Sequence, residues 1–107
     1  MELWLELQKK MAYLEKALEQ ARKRGEEYAN AEKEYQIAKN EAVLLLRDQG
    51  TPATLIQLQV KGQKDVADKM LRRDIANVLY ESAQEAINVY KLEIRVIQEQ
   101  IEREYKG

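Results

Sequence analysis

The chain has 107 residues, enough for one domain, and its composition is typical of long helices, with four Gly, one Pro and no Phe. Its 18 basic and 19 acidic residues nearly cancel and are interspersed, so a general attraction to nucleic acid or anionic lipid is not expected. The absence of Cys and His removes disulfides, thiolate chemistry and the commonest general base and metal ligand. These features argue against most hydrolases and di-iron bundles.

The first predicted helix spans about residues 2–47 and begins with a heptad seam. Its mostly apolar residues alternate in steps of three and four: Trp4, Leu7, Met11, Leu14, Leu18, Ala21, Gly25 and Tyr28. The apolar set then shifts phase, which we interpret as a stammer that rotates the buried stripe. The run from Ala42 to Leu46 is apolar all the way round, so we expect it to be enclosed on more than one side.

A cluster of helix-breaking residues follows this helix. Gly50 suits the left-handed position after a helix end, Thr51 can cap the next helix with its hydroxyl, and Pro52 fits a first helical position. Residues 53–60 alternate enough to form a short strand, but a lone strand has no partner, so we expect a short helix over about residues 52–60. Gly62 either ends this helix or lies in a bend, and we favour a break there.

The last predicted helix spans about residues 63–105 and carries two apolar seams. The first seam consists of Leu79, Ala83, Ala86, Tyr90, Ile94, Ile97 and Ile101. The second seam, interrupted by Ser82 and Glu85, consists of Leu71, Ile75, Val78, Val89, Leu92 and Val96. Together they cover about 220° of the helix, roughly twice the stripe that one neighbouring helix shields.

These elements predict an all-α fold: an antiparallel two-helix hairpin of long helix, short connecting helix and long helix, forming one domain over residues 1–107. Because the first helix cannot cover both seams, we expect the second seam to be an oligomer interface. The favoured assembly is a homodimer with a four-helix core. Docking of a different protein on the same face is the alternative, and the sequence does not separate the two.

One local excess of positive charge lies where the hairpin turns, against Asp65 and Asp68: Lys61, Lys64, Lys69, Arg72 and Arg73. Such a cluster could contact nucleic-acid phosphates or an acidic partner. It contains no interleaved aromatic residues that could stack on bases, so a solvated charged surface is the favoured interpretation. A nucleic-acid-associated factor is therefore the alternative function.

Neither a catalytic site nor a cofactor or metal site is expected from the sequence. The carboxylate pairs lie among Lys and Arg on helices whose apolar face points elsewhere, which is typical of a solvated face. The four Gly are scattered, so there is no phosphate-binding loop. Residues 1–10 are interrupted by carboxylates and lack the apolar run of a signal peptide or membrane span, so we expect a cytoplasmic protein that does not enter a membrane.

Residues 41 to 106 resemble small helical accessory proteins encoded by phages and prophages of Gram-positive bacteria. The residues that carry the resemblance are Lys61-Gly62, Val66-Ala67, Arg73-Asp74, Ala76, Tyr80, Glu85-Ala86-Ile87, Lys91, Arg95, Gln98 and Glu102. The resemblance implies a cytoplasmic phage-associated protein with no catalytic residue. Secreted WxG-type hairpins are excluded because the turn holds no Trp, and a prefoldin-like chaperone subunit is disfavoured because residues 48–62 offer at most one strand.

Overall fold

The computed structural model describes residues 2–106 and contains three α-helices, α1 (Glu2–Asp48), α2 (Ala53–Gly62) and α3 (Lys64–Lys106). No strand occurs within these residues, so the all-helical prediction is confirmed and residues 53–60 are helical. The observed bounds lie within two residues of the predicted ones. Two compact units divide the chain, Met1–Arg24 with Leu79–Gly107 and Gly25–Val78, called here unit 1 and unit 2.

The C-terminus of α1 is closed by a Schellman motif centred on Gly50. The Thr51 N–H donates to the Leu46 carbonyl at 3.0 Å and the Gly50 N–H donates to the Arg47 carbonyl at 3.0 Å. Gly50 has a φ of 80°, which is in the left-handed region. A residue with a Cβ atom adopts this conformation only at a cost in energy, whereas glycine does not. The expected role of Gly50 is therefore confirmed.

The predictions that the Thr51 hydroxyl caps α2 and that Pro52 is the first helical residue of α2 are both wrong. Pro52 occupies the N-cap with φ −57° and ψ 139°, and no side chain caps the helix. The Pro52 carbonyl accepts the N–H groups of Leu55 and Ile56 at 2.9 and 3.2 Å. Thr51 therefore lies one residue before the N-cap, outside the position from which a hydroxyl caps the first turn. Its backbone N–H instead helps to end α1.

The favoured break at Gly62 is confirmed, and one residue, Gln63, separates α2 from α3. Gly62 is the last residue of α2, and Gln63 is extended with φ −66° and ψ 131°. The Gln63 carbonyl accepts the Ala67 N–H at 2.9 Å, which begins α3, while its own N–H donates to the Val60 carbonyl at 3.1 Å. One extended residue therefore both ends a helix and starts the next.

Unit 2 contains the main core, formed by the end of α1, all of α2 and the start of α3. Val60 and Val66 are each only 1% exposed. Around them pack the buried residues Tyr35, Ala38, Leu46 and Ile56, with Ala42, Val43 and Met70 partly buried at the edge. This core joins three helices and fixes the start of α3.

The apolar run Ala42–Leu46 is not enclosed on more than one side, contrary to our expectation. Leu46 is buried in the core, but Leu44 and Leu45 are exposed. The ten-residue helix α2 covers one face of α1 and is too narrow to wrap around it.

In unit 1 the beginning of α1 and the end of α3 run antiparallel. Lys10 pairs with Glu93 and Tyr13 contacts Tyr90, so contacts later in α1 fall earlier in α3. The buried residues are Leu7, Ala21 and Ile97. The first seam thus faces α1 here, as predicted, although Leu79 at its start remains exposed.

Only alternate positions of the α1 seam are buried in unit 1. Leu7 and Ala21 are covered, whereas Trp4, Met11 and Leu18 are about half exposed. One neighbouring helix shields one edge of a heptad stripe, and the residues spaced by seven on the other edge stay in contact with water. The seam therefore pairs with α3 along a narrower strip than its sequence suggests.

Candidate interaction surface

All six residues of the second seam are exposed within the single chain. Their exposed fractions lie between 44% and 60%. Unit 2 presents Leu71, Ile75 and Val78, and unit 1 presents Val89, Leu92 and Val96. Within each group the residues are spaced by three or four positions along α3, so their side chains share one face of the helix. The predicted oligomer interface is therefore unshielded by its own chain.

Ser82 and Glu85 continue the spacing of the second seam along α3, and both are exposed. From Leu71 to Val96 the steps alternate between four and three residues without an interruption of phase. This spacing is that of a heptad seam, which keeps one stripe on a supercoiled helix directed at a partner helix.

A polar and aromatic cluster borders the second seam in unit 1. The Lys10 ammonium lies 2.5 Å from a Glu93 carboxylate oxygen and 5.9 Å from the centre of the Tyr13 ring. The Tyr13 and Tyr90 ring centres are 6.0 Å apart with their planes tilted by 50°. The hydrogen bond to Glu93 raises the pKa of Lys10 above its ordinary value. These contacts fix the position of α1 beside the seam.

A groove of about 330 Å³ lies between these groups and the seam in unit 1. Glu6 and Lys10 line one side, and Leu92 and Val96 line the other. Its walls are thus apolar on α3 and charged on α1, an arrangement common at the edge of helix interfaces, where charged residues border an apolar stripe.

The five cations proposed for a phosphate contact do not form a uniform basic surface. In unit 2 Lys69 lies 3.8 Å from Glu34, and Arg73 lies 3.5 Å from Glu32 and 3.0 Å from Asp74. The hydrogen bond to Asp74 raises the pKa of Arg73. Carboxylates thus offset the two partly buried cations, while Lys61, Lys64 and Arg72 are exposed.

Arg73 has a structural position that the sequence did not suggest. Its guanidinium carbon lies 4.4 Å from the centre of the Tyr35 ring, a cation–π contact that joins α3 to α1 in unit 2. Val66 and Met70 precede it on the same side of α3 in the core. Because a charged residue continues this face, apolar periodicity did not reveal that α3 begins with a separate buried stripe.

Further exposed apolar side chains lie on α1 and α2 of unit 2, and sequence reasoning did not identify them as a surface. They are Ile37, Leu44, Leu45, Leu55 and Leu58. Leu44 and Leu45 belong to the run Ala42–Leu46, which the sequence predicts to be enclosed.

No group of three or more acidic residues suited to hold a metal ion occurs within residues 2–106. In the same range, no helix is both long enough and apolar enough to cross a bilayer. Comparison of the sequence with family models, and of the chain with curated proteins and solved structures, finds no match.

Proposed function

We propose that this protein is a non-enzymatic interaction protein that self-associates through the second seam of α3 and, in that form, binds another macromolecule. The observation that carries the proposal is the exposure of six apolar residues at heptad spacing on one helix. Apolar groups in contact with water cost about 25 cal/mol per Å² relative to burial. A stripe with this spacing is therefore favourable only when a helix covers it.

The resemblance of residues 41 to 106 to phage and prophage accessory proteins extends the proposal to the biological setting. In that setting the assembled protein acts as a cytoplasmic accessory factor whose activity is to bind a protein partner. The nucleic-acid alternative gains less support, because two of its five cations, Lys69 and Arg73, pair with carboxylates of α1.

Light scattering coupled to size-exclusion chromatography tests the self-association. The wild type should be an oligomer at micromolar concentration, and the Val89→Lys/Val96→Lys variant should be a monomer with nearly unchanged helicity, because both side chains are already exposed. The matched control is Ile37→Lys/Leu44→Lys, which alters two α1 residues with the same spacing and exposed fractions of 47% and 56%. The control should remain an oligomer.

Two outcomes would contradict the proposal. A wild type that is a folded monomer throughout the micromolar range would refute self-association. Dissociation by the α1 control but not by the α3 variant would move the interface away from the second seam.

A further inference from the structure

The second seam has the same pattern in both chain directions. Three apolar residues, Ser82, Glu85 and three apolar residues follow one another in steps of four and three. The centre of this pattern lies between Ala83 and Gln84. Two copies of α3 that lie antiparallel with these centres opposed therefore match apolar residues with apolar residues along the whole seam.

We propose that the occupant of the second seam is a second copy of this chain, with the two α3 helices antiparallel about a two-fold axis near Ala83 and Gln84. In this arrangement Leu71 faces Val96 of the second copy, Ile75 faces Leu92 and Val78 faces Val89. The seam residues of unit 2 thus pack on those of unit 1 of the other copy. This inference rests on the self-association proposed above and adds its orientation.

The polar centre of the seam favours the antiparallel arrangement over a parallel one. Antiparallel packing places the Ser82 hydroxyl opposite the Glu85 carboxylate of the second copy, where it can donate a hydrogen bond to an ionised acceptor. Parallel packing in register places Glu85 opposite Glu85, and two carboxylates in a partly dehydrated seam repel each other. Ser82 and Glu85 therefore destabilise the parallel pair of helices and are compatible with the antiparallel pair.

The charges that border the seam agree with the same orientation. In the antiparallel pair Arg72 lies next to Glu93 of the second copy, and Asp74 lies next to Arg95. The two-fold axis produces each of these opposite-charge pairs twice. Charges at such flanking positions set partner orientation in paired helices.

Parallel packing in register gives no such complementarity. In a parallel pair, a flanking residue of one copy lies beside the residue five positions later in the other copy. Asp74 then lies next to Leu79 of the second copy, and Asn88 lies next to Glu93 of the second copy. No pair of opposite charges forms between these flanking positions. In the antiparallel pair Leu79, which its own chain leaves exposed, instead lies next to Ala86 of the second copy. Both edges of the seam therefore favour one orientation.

Cysteine cross-linking tests the orientation, and the natural chain contains no Cys that would interfere. The variants Val78→Cys and Val89→Cys are prepared separately, then oxidised alone and as a mixture, and the products are resolved by mass. In the antiparallel dimer position 78 lies about 16 Å along the axis from position 78 of the other copy, beyond the roughly 7 Å between Cα atoms that a disulfide spans. Each variant alone should therefore remain uncross-linked, and the mixture should yield the mixed product.

The outcomes separate this inference from the proposed function. Cross-linked Val78→Cys homodimers would show that the chains associate in parallel, overturning the orientation and leaving self-association intact. Absence of any cross-link in the Cys variants and their mixture, together with a wild type that light scattering shows to be a monomer, would overturn both. A mixed product without either self-product supports both.

Exchange of charges provides a second test in solution. The variants Asp74→Arg and Arg95→Asp should each weaken the dimer about tenfold, since each breaks two ion pairs between the copies and introduces two repulsive pairs there. The double variant should recover to within about threefold of the wild type. Positions 74 and 95 are about 31 Å apart along α3, so recovery cannot arise within one chain.

A matched control is Lys33→Asp, which changes an exposed charge on α1 and should leave the dissociation constant unchanged. A double variant that binds more weakly than either single variant would refute the antiparallel pairing of Asp74 with Arg95.

Discussion

The same substitution at two glycines is expected to change stability in opposite directions. Gly50 has a φ of 80°, and Gly62 is the last residue of α2 without a positive φ. An added Cβ would meet no atom within 4 Å at either position, so neither change creates a clash. The difference between the two sites is therefore a difference in backbone conformation alone.

The magnitudes follow from this geometry. At Gly50, alanine must adopt a left-handed conformation that costs about 1–2 kcal/mol. Alanine also lowers the conformational entropy of the unfolded chain, which stabilises the folded state by roughly 0.4–1 kcal/mol. We expect Gly50→Ala to destabilise the protein by about 1 kcal/mol. At Gly62, alanine favours the helix, so Gly62→Ala should stabilise by about 0.5 kcal/mol, less than the value for a helix interior because the residue is terminal.

Urea denaturation followed by circular dichroism, at one protein concentration for all samples, measures both effects. The two variants should lie on opposite sides of the wild type in midpoint concentration with unchanged slopes. Stabilisation by both alanines, or destabilisation by both to the same extent, would refute the assignment of Gly50 as the left-handed residue that ends α1.

Two further predictions concern the packing of each unit. In unit 2, Val60→Ala should destabilise the protein by about 2 kcal/mol, because it removes two buried carbon groups and leaves a cavity, with a small gain in helix propensity in return. Leu58→Ala, at a position 72% exposed on the same helix, should cost at most about 0.5 kcal/mol in the same urea assay. Equal effects of the two substitutions would contradict the assigned buried face of α2. In unit 1, the pKa of Lys10 is raised above the ordinary lysine value of 10.5 by its hydrogen bond to Glu93, so the bond contributes fully at pH values well below 10.5 and is lost as pH rises through the higher folded pKa. The difference in unfolding free energy between wild type and Lys10→Met should therefore be constant at neutral pH and shrink as pH rises above 10.5. A difference that stays constant as pH rises above 10.5 would show that the ion pair does not contribute.

Local chemistry explains why some boundaries could be predicted from the sequence. Gly50 is one of the few residues that tolerate a left-handed φ, so the end of α1 has a sequence signature. Gln63 adopts an extended conformation available to any residue, so the break before α3 has none. The sequence predicts the break only through the neighbouring Gly62, which is the last residue of α2.

Periodicity predicted the helices correctly but not which side of a stripe becomes buried. Trp4, Met11 and Leu18 occupy seam positions equivalent in hydrophobicity to Leu7, yet only Leu7 among these four is buried. The outcome depends on the rotation of α1 relative to α3, which is set by side-chain packing and not by spacing alone. The candidate surface was more predictable, because a seam that no partner within the chain can cover must remain exposed.

Apolar burial within the chain is concentrated in unit 2. Among residues 2–106 nine apolar side chains are buried, and six of them belong to the cluster around Val60 and Val66. Unit 1 contributes Leu7, Ala21 and Ile97. In the proposed antiparallel dimer, the exposed seam residues of unit 1 pack on those of unit 2 of the other copy. Unit 1, which has the smaller core, thus buries additional apolar surface against unit 2 of the second copy. Because only the folded chain can form the dimer, association stabilises folding by mass action. The stability of unit 1 should therefore increase with protein concentration.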